Sequence, residues 1–91
     1  MIDISQFRTA SGAAFDPDAY AVLVRPLTAD EGGGSLATVP DLPGCMGDGA
    51  TPEEALADLR AAMLEWADAS HENGDTIPDP SFALKHAEAA E

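Results

Sequence analysis

Basic residues are scarce in this sequence of 91 residues. Lysine and arginine together number 4, against 17 aspartates and glutamates, so that the formal net charge is −13. Binding to nucleic acid phosphates or to an anionic membrane surface requires clustered positive charge, and the composition therefore excludes both. A basic protein is the partner that such a charge attracts most readily, although acidity also serves solubility alone.

Cysteine and long apolar runs are nearly absent as well. The single cysteine, Cys45, excludes an intramolecular disulfide and a cysteine-based zinc site. The two histidines, His71 and His86, have no spacing typical of metal ligands. No run approaches the roughly 20 apolar residues of a transmembrane helix, and the first residues do not resemble a secretory signal. We therefore expect a cytoplasmic protein without a metal or a cofactor.

Large apolar side chains are too few for a thick core. Leucine, isoleucine, valine and phenylalanine together number 17, whereas alanine alone numbers 18. A chain of this length forms one small domain, which buries only roughly 60–65% of its unfolded surface. We therefore expect marginal stability and a gain from self-association or from a partner.

Three short segments predict an antiparallel sheet. Residues 20–27 alternate in side-chain direction, with Tyr20, Val22 and Val24 on one face. Residues 35–39 predict a second strand, and the three glycines before it indicate a hairpin turn rather than a phosphate-binding loop, because no helix and no lysine follow. Residues 45–50 predict a third strand, whose two glycines leave one face bare for close backbone packing.

The clearest local signal is a helix that runs from Pro52 to about Asn73. Thr51 is a typical N-cap, Glu54 completes a capping box, and Gly74 is a typical C-terminal stop. The predicted buried stripe of this helix contains Leu56, Leu59, Met63, Trp66 and Ser70. Its opposite face carries Glu54, Asp58, Glu65, Asp68 and Glu72.

These elements predict an α+β fold. Residues 76–78 add a short fourth strand at an edge, so that the order is β-β-β-α-β. A three- to four-stranded antiparallel sheet then carries one main helix on one face. Residues 1–19 are a loosely held leader, in which Asp3 and Gln6 suit the cap of a short helix carrying Ile4 and Phe7. Residues 20–80 form the domain, and residues 81–91 form a short tail.

Catalytic residues are not indicated. Cys45 lacks both a suitably spaced histidine and a third orienting group, which a nucleophile requires. Asp41, Asp48 and Glu54 are predicted near one end of the sheet, but a two-metal hydrolase needs three or four converging acids. Nothing in the sequence forces that convergence, and we expect no enzyme.

One stretch resembles a known family. Residues 39–56 read VPDLPGCMGDGATPEEAL, and this run strongly resembles the HicB antitoxin family. The resemblance begins near residue 20 and ends near residue 80, and its softer parts are Arg25-Pro26-Leu27, the glycines at 32–34, Trp66, Gly74 and Ile77-Pro78.

The resemblance implies a fold and a partner. HicB-type domains have a truncated ribonuclease H-like fold without catalytic acids, and they commonly form dimers or tetramers. They neutralise HicA, a small basic toxin that cleaves messenger RNA, by covering its catalytic histidine and its RNA-binding surface. Only 11 residues follow Pro80, too few for the DNA-binding domain of many HicB proteins. We therefore expect a short form that does not itself bind nucleic acid.

The expected function is that of an inhibitory binding protein. Carboxylates would stand in for RNA phosphates, and five acids are the candidates for toxin contact: Asp41, Asp48, Glu54, Asp58 and Glu65. Two alternatives stay open. The first is a solitary HicB-like domain that acts as an oligomeric scaffold or senses a small ligand, and the second is a residual nuclease that uses Asp41 or Asp48.

Overall fold

The computed structural model describes residues 4–80. Within this range the chain forms the elements β1 (Leu23–Pro26), β2 (Ser35–Thr38), β3 (Met46–Gly49) and α1 (Pro52–Asn73). The strands are antiparallel in the order β1-β2-β3, and α1 packs on one face of this sheet, mainly over β3. The predicted α+β fold, a sheet with one main helix, is confirmed.

The turn between β1 and β2 follows the predicted hairpin. A single turn of 3-10 helix, Ala29–Glu31, leads into the three glycines, whose φ angles are all positive. Gly34 has φ +83°, and a Cβ atom there would lie 2.4 Å from the carbonyl oxygen of Gly49. Only glycine fits this position, because a side chain would be strained by the backbone angle and would meet β3.

The same turn is closed by hydrogen bonds, most of which involve the Glu31 carboxylate. The Thr28 hydroxyl accepts from the Glu31 N–H at 3.3 Å, and the Glu31 carboxylate accepts from the Thr28 N–H at 3.0 Å. Arg25 of β1 donates to both oxygens of Glu31, at 3.2 and 3.1 Å. The hydrogen bonds from Arg25, followed by the one from Thr28, hold the pKa of Glu31 down at about 2.

This pair predicts a pH dependence. A carboxyl group whose pKa is lowered by folding stabilises the fold above its ordinary value of about 4.3 and loses that contribution as the pH falls toward 2. In an NMR titration, Arg25→Gln should raise the midpoint of the Glu31 carboxyl toward its ordinary value. Arg8→Gln removes the same charge elsewhere and should leave the midpoint in place. Equal midpoints in the wild type and Arg25→Gln would contradict the assignment.

Two glycines of β3 allow α1 to lie directly on the strand. A Cβ atom at Gly47 would be 2.2 Å from the Leu59 backbone nitrogen, and one at Gly49 would be 2.7 Å from the Ala55 backbone nitrogen. The bare face predicted for this strand is therefore the face that receives the helix. The N-cap and the stop of the helix are as predicted, since the Thr51 side chain accepts from the Glu54 N–H and Gly74 has a left-handed φ of +74°. The predicted capping box is not completed, because the Glu54 carboxylate accepts from the Ala50 N–H rather than from the Thr51 N–H.

The buried stripe of α1 faces the predicted direction but has different residues at its margins, where Ala55 and Ala67 are buried in place of Leu56 and Trp66. Its buried residues are Ala55, Leu59, Met63, Ala67 and Ser70. Leu56 is 42% exposed, and Trp66 is only half-buried, with its Nε1 donating to the Pro43 carbonyl at 3.0 Å. Direct contact between the helix and a glycine strand leaves room for alanine, so that the larger Leu56 and Trp66 lie on the two flanks.

The prediction of a loosely held leader is wrong in one respect. Phe7 is fully buried and Phe15 is 4% exposed, so both belong to the core. The Phe7 ring lies 5.1 Å from the imidazole of His71 and 6.5 Å from the ring of Phe15, measured between centroids. A turn, rather than the expected short helix, brings Phe7 to this place. The thin sheet and helix leave an apolar gap, which the leader fills; Asp3 lies outside the described residues.

The chain after α1 ties the leader down. Instead of a full fourth strand, Ile77 forms a single parallel bridge with Thr9. The Asp79 carboxylate accepts hydrogen bonds from Thr9 and from Ser11, the latter at 2.9 and 3.0 Å, and these bonds lower its pKa. The Tyr20 hydroxyl donates to the carbonyl of Pro78. The predicted tail, residues 81–91, lies outside the described residues.

Candidate interaction surface

Four carboxylates form a line along one flank of α1. Glu54, Asp58, Glu65 and Glu72 are separated by four, seven and seven residues, which are about one, two and two helical turns. All four residues are exposed. We refer to these four residues as the acidic stripe. The sequence places Glu72 on the acidic face of the helix but not in the predicted contact site. Its seven-residue spacing from Glu65 is the signal that could have included it.

The first two members of the acidic stripe are held in place by β3. Asp58 Oδ2 accepts from the Asp48 N–H at 3.0 Å, and Glu54 Oε1 accepts from the Ala50 N–H at 3.0 Å. The Leu27 N–H bonds to the Gly34 carbonyl, and because bonding direction alternates along a strand, Leu36 bonds toward β1. Its partner Asp48 therefore forms no bond to β2, and the N–H groups of Asp48 and Ala50 point away from β2. The two carboxylates therefore cover the outer edge of β3 while their negative charge faces solvent.

No arginine or lysine of α1 lies on the side of the acidic stripe. The one arginine of the helix, Arg60, is paired with Asp18 and lines a groove on the opposite flank. The other two arginines among residues 4–80 are also engaged elsewhere. Arg25 pairs with Glu31, and Arg8 donates to the carbonyls of Ser5 and Phe7. The acidic stripe is thus a region of negative potential without cations from its own helix.

The remaining two predicted contact acids lie off the stripe. Asp48 is exposed and points to the sheet face that α1 leaves open, because its neighbours Gly47 and Gly49 face the helix. Asp41 lies half-buried in the connector between β2 and β3. Burial raises the pKa of Tyr20 to about 12, and the charges of Asp79 and Asp41 add to this effect. The structure therefore groups Glu54, Asp58 and Glu65 on the helix. Asp48 lies on the open face of the sheet, and Asp41 lies apart from them in the connector, near Tyr20.

The described residues do not assemble a reactive centre. Cys45 is buried, and burial raises the pKa of its thiol, which disfavours the thiolate that a nucleophile needs. Among residues 4–80, no group of three or more histidine, cysteine, aspartate or glutamate side chains is arranged to hold a metal ion. The exposed carboxylates of the acidic stripe can accept charge-assisted hydrogen bonds from cationic groups.

A known family matches most of this chain. A family model described as HicB_like antitoxin of bacterial toxin-antitoxin system matches residues 20–91. The chain belongs to this family. A HicB-like protein of this kind is generally non-enzymatic, and the family is one of antitoxins. The matched residues begin after the leader, although Phe7 and Phe15 of the leader are part of the core.

A curated relative supports the assignment. The UPF0150 protein Ta0767 of Thermoplasma acidophilum is 34% identical over 59 residues, which are 65% of this HicB-like chain and 81% of the relative. No solved structure matches the chain. Among residues 4–80, no helix combines the length and the apolar character that crossing a membrane requires.

Proposed function

We propose that this HicB-like chain is an antitoxin that binds and occludes a small basic HicA-like toxin, which cleaves messenger RNA in the cytoplasm. The observation that carries the proposal is the acidic stripe, which has no cation of its own helix beside it and belongs to a chain of net charge −13. A toxin that binds RNA presents cations to phosphates, and a line of carboxylates offers the same cations an alternative partner.

The hydrogen bonds to β3 favour this role. A partner that binds a long, mobile acidic side chain has to offset the loss of its conformational entropy. Glu54 and Asp58 are already fixed by the Ala50 and Asp48 N–H groups. Charge-assisted bonds from arginine or lysine to such preformed carboxylates are stronger than bonds between neutral groups.

The proposed contact surface therefore has a centre and a border. Glu54, Asp58 and Glu65 form its centre, and Glu72 extends it toward the end of the helix. Asp48 borders it on the far side of β3, and Asp41 is proposed as a separate contact in the connector. The proposal also includes a homo-oligomer, because the core is thin: among residues 4–80, three of its twelve buried apolar residues are alanines, Ala37, Ala55 and Ala67.

The partner is tested by affinity capture at native expression level, with mass spectrometry of the co-eluting proteins at low and high salt. A stoichiometric small basic protein that is released by salt is the expected result, because screening weakens attraction between exposed charges. A chain that elutes alone under both conditions would contradict toxin binding and favour the solitary scaffold or ligand sensor.

Charge reversal at the centre of the stripe gives a sharper test. With the captured basic protein as partner, Glu65→Lys should lower the association rate about tenfold at low salt, because steering by the local field is lost. The effect should shrink at high salt. Asp30→Lys changes the net charge equally at an exposed position in the β1–β2 turn, and it should have a much smaller effect. Equal rates for the two variants would place the toxin on another surface.

A further inference from the structure

The two outer strands of the sheet differ at their outer edges. At β3, the outward N–H groups of Asp48 and Ala50 are bound by the carboxylates of Asp58 and Glu54. A further strand would need these donors for its own ladder. The edge of β3 is therefore closed to strand addition by side chains of the helix.

The outer edge of β1 is open. The Leu27 N–H donates to the Gly34 carbonyl at 2.8 Å, which marks the residues of this strand that bond to β2. Bonding direction alternates along an antiparallel strand. The backbone N–H and C=O of Arg25 therefore point toward β2, whereas those of Val24 point outward. Pro26 offers only its C=O outward. Among residues 4–80, no strand lies on this side of β1.

The open edge is largely apolar, and the acid beside it, Glu31, is neutralised by its pair with Arg25. Leu23 is 64% exposed and Val24 is 41% exposed. Residues 19–29 contain no acid, although the chain has 17, and their one charge is Arg25. Two copies of net charge −13 repel each other over most of their surfaces, and this strip is where they approach at least electrostatic cost. A basic partner is drawn instead to the acidic stripe on the other flank of the molecule.

We infer that β1 pairs antiparallel with β1 of a second copy, centred on Val24, so that the two sheets become one sheet of six strands. This inference rests on the self-association in the proposed function and not on toxin binding. The donor pattern of the edge is self-complementary. Each Val24 N–H donates to the Val24 C=O of the other copy. Each Pro26, which lacks a donor, supplies a C=O to the Val22 N–H opposite.

The side chains of the edge fit this pairing. In this register Leu23 lies opposite Arg25 of the other copy, whose aliphatic stem can cover it. On the helix side, a groove of about 410 Å³ runs between α1 and the segment before β1. Tyr20, Val22 and the exposed flank of Leu56 line this groove. Pairing brings the two grooves next to each other and removes apolar surface from water.

The test combines one backbone variant with a measurement on the wild type. Val24→Pro removes an outward donor that β2 does not use, so it should keep the fold and raise the dimer dissociation constant about tenfold or more. Light scattering after size-exclusion chromatography, over a range of concentrations, reads out the mass. Val24→Ala retains the N–H and Met46→Lys changes an exposed residue of β3; both should remain dimers under conditions where Val24→Pro is a monomer.

Hydrogen exchange tests the contact even if Val24→Pro does not fold. In the wild-type chain, the Val24 amide should exchange more slowly as the concentration rises, whereas the Arg25 amide, bonded within the chain, should not change. A monomer at all concentrations would overturn the pairing together with self-association. An oligomer with a fast Val24 amide, or one unaffected by Val24→Pro, would overturn the β1 pairing alone. Protection of Val24 only when a basic protein is added would assign this edge to that partner instead.

Discussion

Phe7→Ala is expected to lower the free energy of unfolding by about 3–5 kcal/mol, the usual cost of truncating a buried phenylalanine. Phe7 is fully buried between Phe15 and His71, and it is among the largest fully buried side chains of the domain. A domain of this size has a total stability near the lower end of about 5–15 kcal/mol. The variant should therefore be largely unfolded at 37 °C.

Urea denaturation followed by circular dichroism, at one fixed protein concentration, measures this loss. Met46→Ala is the matched control, because Met46 is a large apolar residue that is 53% exposed. Its effect should stay within about 0.5 kcal/mol, as is usual for surface positions. If Phe7→Ala and Met46→Ala had equal midpoints, the leader would not be part of the core.

The leader shows where sequence reasoning fails in this chain. The Thr51 N-cap, the Gly74 stop and the hairpin glycines are local signals, readable within a few residues, and the structure bears them out. The burial of Phe7 depends instead on His71, far along the chain, and on a gap that only the assembled sheet and helix create. The residues after it, Thr9 to Ala14, are small and show no period, so nothing nearby indicates burial.

The candidate site, too, was predictable in its local features and not in its contacts between distant residues. The spacing of Glu54, Asp58 and Glu65 was sufficient to predict that they share a helix face. Their bonds to the outer edge of β3 were not predictable, because those bonds depend on how α1 is rotated and how near it lies to the strand. That placement also exposes Leu56, which the apolar pattern assigns to the core. The pattern identifies the buried face, whereas the glycines of β3 determine how closely the helix approaches the strand.

Those glycines lead to the second large prediction, that Gly47→Ala costs about 3 kcal/mol or more, at or above the upper end of the usual range for overpacking a core. The added methyl group would lie 2.2 Å from the Leu59 nitrogen and 2.6 Å from the Leu59 Cα atom. Because both are backbone atoms of α1, no side-chain rotation relieves the overlap, and the helix must move away from β3. That movement would also lengthen the bond from the Asp48 N–H to Asp58 and loosen one end of the acidic stripe.

Gly33→Ala separates this effect from the general cost of replacing glycine. A Cβ atom at Gly33 meets nothing within 4 Å, but its φ is +74°, so the variant should lose only about 1–2 kcal/mol through backbone strain. Urea midpoints rank the two variants, and the amide exchange rate of Asp48 reports the bond to Asp58. A Gly47→Ala variant that is as stable as Gly33→Ala, with an unchanged Asp48 amide, would mean that direct contact between helix and strand does not position the acids.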